Sequence, residues 1–559
     1  MSNIPTINRQ EPAQVQSVMN GWRAGVVFVA LVVAMPVLTV FAFLAHPEPE
    51  IWRHLAATSL PDYVLNSLLL MLGVGTGTLL FGVSTAWVSA TCEFPGRRLF
   101  EWALLLPMAI PAYIIAYTYT GLLDFAGPVQ STLRGLTGWG YGDYWFPNIR
   151  SLPGAIVMLS LVLYPYVYLL ARAAFLEQSV RVLEVSRTLG ATPMHTFLQV
   201  ALPMARPAII AGLLLALMET LADYGTVQYF GISTFTTGIF RTWFGLGDAV
   251  AAAQLSALLM LFVIVLILVE RWTRREARYH ESGMRQHSLP RHRLEGWRMF
   301  VGLAVCLVPL LLGFALPAVQ LLAWAMRTAP AAMDTSFLNL TINSLLLASS
   351  AAVVTLAVGL FMAYGRRLHG NRLVNSAVRV AGMGYAIPGT VIAVGVMIPF
   401  AWIDNTLDAW MRARFGWSTG LLLSGTIVAL LFAYMVRFLA VSLQAVEAGL
   451  SKIRPSMDDA ARVLGHSPTE VLRRVHLPML RGSLFTAMLL VFVDALKELP
   501  ATLVLRPFNF NTLAVRTYEL AADERLADAA SASLTIVLAG IIPVILLSHS
   551  IGRSRNRHE

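Results

Sequence analysis

Long apolar stretches, separated by short polar ones, dominate this chain of 559 residues. Twelve of them are long enough to cross a hydrocarbon core of about 30 Å, which needs about 20 helical residues. The pattern predicts spans near 26–45, 64–91, 100–123, 152–175, 208–231, 249–270, 299–325, 341–364, 377–403, 419–444, 482–505 and 531–549. The predicted fold class is therefore an all-α membrane protein with twelve transmembrane helices.

The spans fall into two tandem halves. Residues 66–70 (Asn-Ser-Leu-Leu-Leu) recur at 343–347, and residues 109–111 (Ala-Ile-Pro) recur at 386–388. Six spans per half give both halves the same orientation, so we expect a pseudo-two-fold axis along the membrane normal. The predicted domains are an N-terminal segment (1–25), a first repeat (26–270), an Arg-rich linker (271–298), a second repeat (299–549) and a tail (550–559).

Composition and charge agree with a membrane protein. Hydrophobic residues make up 57% of the chain and charged residues only 13%, against about 25% in a soluble domain. The formal charge of +10 reflects arginines in alternate loops, which predicts that these loops and both termini are cytoplasmic. We therefore interpret the basic charge as topological, and attractive to anionic headgroups, rather than as nucleic-acid binding.

One motif occurs twice, at an offset of 275 residues. In each copy an acidic residue is followed by glycine six residues later, valine after ten more and proline after a further three. The spacing predicts a short helix with an exposed acid, a glycine turn, and a second helix that stops at Leu-Pro. Two copies at equivalent places favour docking elements for a partner.

At these residues the chain resembles the membrane permeases of bacterial binding-protein-dependent ABC importers, whose loop docks into a groove on the ATPase subunit. The resemblance implies a type I (MetI-like) permease fold in each half. It assigns docking to Glu184, Gly190, Leu202 and Pro203 in the first loop, and to Asp459, Ala460, Ala461, Gly465, Leu477 and Pro478 in the second. The first copy departs from the Glu-Ala-Ala pattern at Val185-Ser186, and the second has Asp459 in place of Glu.

The partners follow from what the sequence lacks. It contains no Gly-x-x-x-x-Gly-Lys-[Ser/Thr] loop, so we expect it to bind no ATP and no other cofactor. The energy source would be a separate ATPase, in two copies for two loops, and a periplasmic binding protein would deliver the solute. No nucleophile motif or His/Cys/Asp cluster indicates an enzyme.

Four carboxylates fall inside predicted spans. Glu219 and Asp223 lie four residues apart, and at an offset of 275 they match Asp494 and Glu498. Intramembrane carboxylates are costly and indicate a translocation pathway, and four oxygen ligands about a pseudo-two-fold axis would suit a hard cation. The alternatives are gating or helix packing at the membrane edge, or neutralisation by Lys497, so no metal ligand is assigned.

The substrate prediction rests on a further resemblance. The stretches 219–226, 240–243, 497–502, 505–507 and 518–521 look like those of fused permeases of ferric-iron importers. The resemblance implies an inner-membrane permease for Fe(III). Fused thiamine permeases share the layout, and phosphonate and polyamine systems are more distant relatives, so all three stay open as alternatives. A proton-coupled secondary transporter that uses the four carboxylates as a relay is an alternative of another class.

Overall fold

The computed structural model describes residues 13–46, 49–140, 142–177, 192–277, 292–332 and 335–556. Within them the chain is helical apart from turns and two short strands, β1 (Cys92–Glu93) and β2 (His292–Arg293). The first half contains α1 (Ala13–Ala42), α2 (Pro49–Thr58), α3 (Leu60–Thr91), α4 (Arg97–Ala103), α5 (Ala112–Leu123), α6 (Pro128–Thr137), α7 (Leu152–Glu177), α8 (Pro193–Thr196), α9 (Leu202–Ala222), α10 (Gly225–Tyr229), α11 (Phe235–Phe240) and α12 (Ala249–Ala277).

The second half repeats this order. It contains α13 (Trp297–Leu310), α14 (Leu316–Ala332), α15 (Thr335–Leu368), α16 (Arg372–Ala381), α17 (Gly389–Phe415), α18 (Ile427–Leu450), α19 (Pro455–Val463), α20 (Pro468–Val471), α21 (Leu477–Leu496), α22 (Pro500–Leu505), α23 (Leu513–Ala522) and α24 (Ala530–Asn556). Single π-helical turns join α8 to α9 (Phe197–Ala201), α13 to α14 (Leu311–Ala315) and α20 to α21 (Leu472–His476), and a fourth follows α11 (Arg241–Gly245).

The predicted spans are found in order, with one broken and one short. Ten helices in the described residues are long and apolar enough to cross a membrane. The predicted third span is a pair of helical segments, Arg97–Ala109 and Ala112–Thr137, that meet at 90°. The twelfth corresponds to a shorter apolar helix, Ala530–Pro543. The prediction of an all-α membrane protein built from two tandem repeats is thus confirmed, with twelve as an approximate count of spans.

Prolines explain the break in the third span. A residue before proline is disfavoured in the α conformation, and Ile110, before Pro111, is extended. The same device recurs in the second half, where Ile387 is extended before Pro388 and α17 begins only at Gly389. The tripeptide Ala-Ile-Pro that revealed the repeat therefore marks an equivalent helix break in each half.

Two predicted helix boundaries are wrong. The fifth and eleventh spans were expected to run to residues 231 and 505, but α9 ends at Ala222 and α21 at Leu496. The expected stop at Leu-Pro is also absent, because α21 begins at Leu477 and forms one rod with α20, Pro468–Leu496. Proline is tolerated in the first turn of a helix, where its missing N–H has no partner to lose.

The first helix of each half packs on the opposite half. The ring of Trp22 in α1 stacks on Phe361 in α15, with centroids 4.9 Å apart. Farther along α1, the carbonyl of Pro36 lies against Gly395 of α17, so closely that only glycine fits. At the start of the second half, strand β2 precedes α13 and pairs in parallel with β1, which follows α3 in the first half. The halves are interlocked by this exchange rather than merely juxtaposed.

Polar contacts also join the halves. Tyr117 is fully buried in α5 and its hydroxyl hydrogen-bonds to Ser533 in α24. In the loop before α7, Arg150 donates to both carboxylate oxygens of Glu524, at 2.7 and 2.8 Å. Glu524 has a positive φ of 61°, a conformation that non-glycine residues rarely adopt. The bidentate pair therefore holds a strained turn of the second half against the first.

The contact of α1 with α17 yields a test. Gly395→Ala should destabilise the protein, because the added methyl group would collide with the Pro36 carbonyl and push α1 away, a defect of about 1–3 kcal/mol. Gly482→Ala is the matched control, since nothing lies within 4 Å of the added atom and alanine is the better helix former. Thermal unfolding in detergent should show a lower Tm for Gly395→Ala alone. Equal Tm values would contradict the packing of α1 on the second half.

The Arg150–Glu524 pair predicts a pH dependence. The hydrogen bonds from Arg150 lower the pKa of the Glu524 carboxyl below its usual 4.5, so the pair stabilises the fold above that pH. This contribution is lost as the pH falls through the lowered pKa. Since the pair is partly exposed to solvent, it contributes at most about 1 kcal/mol to the free energy of unfolding. Glu524→Gln should lower Tm at neutral pH, and its difference from wild type should close in acid. A difference that does not change with pH would refute the assignment.

Candidate functional site

The breaks after α9 and α21 meet at a cavity of about 130 Å³ between the halves, called here the central cavity. All four carboxylates singled out from the sequence line it: Glu219, Asp223, Asp494 and Glu498. Its walls also include Pro111, Tyr113, Tyr166, Tyr385, Arg437 and Lys497. The structure therefore brings together two carboxylate pairs that lie 275 residues apart in the chain.

Two of the carboxylates act as caps where the helices break. Asp223 accepts hydrogen bonds from the Thr226 and Val227 backbone N–H groups, both at 3.1 Å, and from the Thr226 hydroxyl at 3.0 Å. Glu498, its counterpart, accepts from the backbone N–H of Ala501 at 3.2 Å. Each carboxylate satisfies backbone donors at the start of the next short helix, α10 or α22, that would otherwise lack partners. This explains why the spans end earlier than hydropathy alone predicts.

Two basic side chains enter the central cavity from the second half. The Arg437 Nε atom lies 3.1 Å from Glu498 Oε2, and both side chains are more than 90% buried. The Lys497 Nζ atom lies 2.8 Å from Asp494 Oδ1. The expectation that Lys497 could neutralise a carboxylate agrees with this geometry. Sequence reasoning missed Arg437, although it is the only charged residue within the predicted span 419–444.

Glu219 stands apart from the other three carboxylates. It is half-buried, and it makes no hydrogen bond or ion pair with any residue that the structure describes. It lies close enough to interact electrostatically with the hydroxyl groups of Tyr166 and Tyr385. Those two hydroxyl oxygens, one from each half, are 3.3 Å apart.

The four carboxylates share a cavity without converging on one point. Among the described residues, no group of three or more His, Cys, Asp or Glu side chains is placed to hold a metal ion. Two of the acids are ion-paired and Asp223 caps a helix, so the symmetric set of four oxygen ligands considered from the sequence is not present in this conformation.

The second loop has the exposed acid and the glycine turn that the motif spacing predicts. Asp459 is exposed on α19, whereas Ala461 on the same helix is buried. Gly465 turns the chain after α19 with φ = +86°, the left-handed conformation expected at this position. Next to it, Val463 and Leu464 are 81% and 77% exposed, which is unusual for adjacent apolar side chains.

An arginine at the end of α15 anchors this loop. Arg367 donates from its three guanidinium nitrogens to the carbonyls of Leu450 and Ile453, at 2.6 and 2.9 Å, and to Asp458, at 2.7 Å. Asp458 is in turn hydrogen-bonded to His476 at 2.7 Å. Sequence reasoning missed these contacts, because Arg367 was one of several loop arginines and His476 is not among the residues that define the loop motif. His476 is in fact fully buried.

The first loop is only partly within the described residues. Glu184 and Gly190 lie outside them. Leu202 and Pro203 open α9, as Leu477 and Pro478 open α21. The matching helix starts extend the repeat through this region.

Known proteins similar to the chain are transport permeases. The chain is 26% identical over 491 residues to the Fe(3+)-transport system permease protein FbpB 2 of Haemophilus influenzae, covering 87% of this chain and 89% of that protein. It is 22% identical to the ferric transport system permease protein FbpB of Actinobacillus pleuropneumoniae, over 84% of this chain and 70% of that one. The molybdenum transport system permease protein ModB of Escherichia coli is 26% identical over 36% of this chain and 87% of its own length.

A family model matches the chain twice, once in each half. The model describes the binding-protein-dependent transport system inner membrane component, and it matches residues 78–278 and 355–557. The two segments cover well over half of the chain, and each includes one copy of the loop motif and one pair of carboxylates. The chain therefore belongs to this family, the multi-pass inner-membrane permeases of ABC importers.

Proposed function

We propose that the chain is the permease subunit of an importer that moves ferric iron into the cytoplasm. The central cavity carries this proposal, because it places four carboxylates against only two basic groups at the junction of the halves. Carboxylate oxygens are hard ligands, which suits a hard cation such as Fe(III). The relatives that align along most of the chain, named as ferric-iron permeases, support the same cargo.

The loops are proposed to be the contacts with the ATPase. Both copies lie in arginine-rich regions, which favours a cytoplasmic location for them and for both termini. The exposed Val463 and Leu464 beside Asp459 offer an apolar tip with one charge, suited to a groove on a soluble subunit. Two loops would engage two ATPase subunits, with ATP bound there and not by this chain. A periplasmic binding protein would dock on the opposite face.

The rod of α20 and α21 offers a route for force. It runs without interruption from the loop at Pro468 to Leu496, which at about 1.5 Å per residue spans roughly 40 Å. Its far end carries Asp494 and leads directly into the cap at Glu498. A displacement of the loop by ATP-driven closure of the ATPase would therefore be delivered to the wall of the central cavity, opening it alternately to the two sides.

The alternative cargoes differ in charge. An excess of carboxylates disfavours an anion such as a phosphonate, since like charges repel at short range. Thiamine and polyamines are cations but lack the charge density of Fe(III), and the relatives named as ferric-iron permeases favour iron among the three. A proton-coupled carrier would account for the carboxylates but would leave the duplicated loops, and the anchoring of the second loop by Arg367, without a role.

The proposal is tested by uptake in cells that lack their own iron, thiamine and phosphonate importers. The chain is co-expressed with the ATPase and binding protein encoded with it, and labelled Fe(III), thiamine and phosphonate are compared. We expect import of iron alone, abolished when the ATPase is inactivated. Import of thiamine without iron would refute the cargo and leave the architecture intact, whereas uptake that persists without the ATPase would favour the carrier.

The loop assignment predicts uncoupling by a bulky residue at the glycine turn. Gly465→Val forces a β-branched residue into φ = +86° and should redirect the loop, lowering uptake while ATP hydrolysis continues. Gly420→Val is the matched control, because Gly420 also has a positive φ and open space around it but lies in the loop after α17. The ratio of solute imported to ATP hydrolysed in proteoliposomes is the measurement. Equal coupling in both variants would contradict the docking role, and Gly190→Val should behave like Gly465→Val.

A further inference from the structure

The charges of the central cavity are divided unequally between the halves. Glu219 and Asp223 come from the first half, which contributes no basic residue to the lining. The second half contributes the matching acids together with Arg437 and Lys497, so its charges sum to zero. At the offset that relates the acids, Lys497 corresponds to Ala222. The structural repeat is therefore symmetric in its carboxylates and asymmetric in its counter-ions.

Only one of the four acids is available in this arrangement. Asp494 and Glu498 hold Lys497 and Arg437 at 2.8 and 3.1 Å, and Asp223 accepts three hydrogen bonds at the cap of α10. Glu219 has no direct partner among the described residues and is flanked by two hydroxyl groups, while Arg437 and Lys497 interact with it electrostatically at longer range. A half-buried carboxylate without a direct ion pair is costly, and cations held by other acids offset less of that cost than a direct partner, so Glu219 is the acid that a mobile cation would stabilise most.

A second polar group lining the cavity also lacks a partner. The hydroxyl oxygen of Tyr113 is buried, the residue being only 7% exposed, and it has no hydrogen-bond partner in the described part of the chain. It lies near enough to Glu498 for an electrostatic interaction. Buried hydroxyl groups are almost always satisfied, so an orphan at a cavity wall indicates that the cavity contents, cation or water, supply the missing bond.

We propose that Glu219 is the carboxylate that contacts the passing cation, and that Arg437 and Lys497 are resident counter-cations that keep the second-half acids from binding it tightly. The inference rests on the proposed function and adds to it which half holds the cargo. Four free carboxylates would bind a trivalent ion too firmly to release it, whereas conduction needs binding strong enough to enter and weak enough to leave. Two tethered cations lower the negative charge that the ion meets without closing the passage.

The repeat provides the matched variants for a test. Glu219→Gln removes the one carboxylate charge that has no direct ion pair or hydrogen bond among the described residues. The double variant Asp494→Asn with Lys497→Ala removes the equivalent acid together with its counter-ion, keeps the net charge of the cavity, and restores at residue 497 the alanine found at 222. We expect Glu219→Gln to lower the initial rate of Fe(III) uptake roughly tenfold or more, and the double variant to lower it less than about threefold. Glu219→Asp should recover much of the lost rate.

Separate controls distinguish a loss of the Glu219 site from misfolding and from a wrong choice of cargo. Tm in detergent and the ATPase rate of the assembled transporter show whether each variant is intact, and the uptake comparison uses variants that match wild type in both. If Glu219→Gln and the double variant lose uptake equally, or the double variant loses more, the asymmetric site is refuted while iron import stands. If wild type imports another cation, the proposed cargo fails and the same comparison, made with that cation, still decides the role of Glu219. Import of an anion would overturn both.

Discussion

The carboxylate-capped helix breaks at Asp223 and Glu498 are the constraint on which the rest of the structure depends. A helix that begins inside an apolar layer leaves backbone N–H donors without water, and each must find a partner within the protein. The two acids provide those partners and so let the chain turn at equivalent points of both halves. Because the capping carboxylates lie where the helices break, they also line the central cavity and contribute negative charge to it. The helix caps and the charge of the site therefore come from the same residues.

The breaks also define what can move. From Pro468, within the second loop, to the break after Leu496, the chain is one continuous rod. Arg367 fastens the start of this loop to the end of α15. Rigid segments joined at a few capped turns transmit displacement, whereas a cavity wall built from loops would absorb it. The exchanged packing of α1 and α13 holds each half against the other on either side of the central cavity.

The duplicated fold is not symmetric in its charged residues. The sequence repeat places equivalent acids, helix caps and helix breaks in both halves, but only the second half contributes basic residues, Arg437 and Lys497, to the cavity lining. The loop anchor formed by Arg367, Asp458 and His476 is likewise a second-half feature, since the corresponding positions 183 and 201, for Asp458 and His476, hold leucine and alanine. A fused chain can divide roles between its halves in a way that two identical subunits cannot.

The sequence by itself determined the class of the protein. Hydropathy located the spans, because a run of about 20 apolar residues is a local property. The repeat offsets located the halves, and the spacing of Glu219 with Asp223 and of Asp494 with Glu498 located the acids. What only the tertiary structure decided involves residues that are distant in the chain: the packing of α1 on α17, the partner of Arg437 and the burial of His476. These contacts depend on which helix faces meet. The hydrophobic periodicity of one helix shows which of its faces is buried but not which helix packs against that face. The early ends of α9 and α21 are a further example. Hydropathy averaged over Asp223 and Glu498 and predicted longer spans, whereas in the folded chain these two acids cap the short helices that follow the breaks.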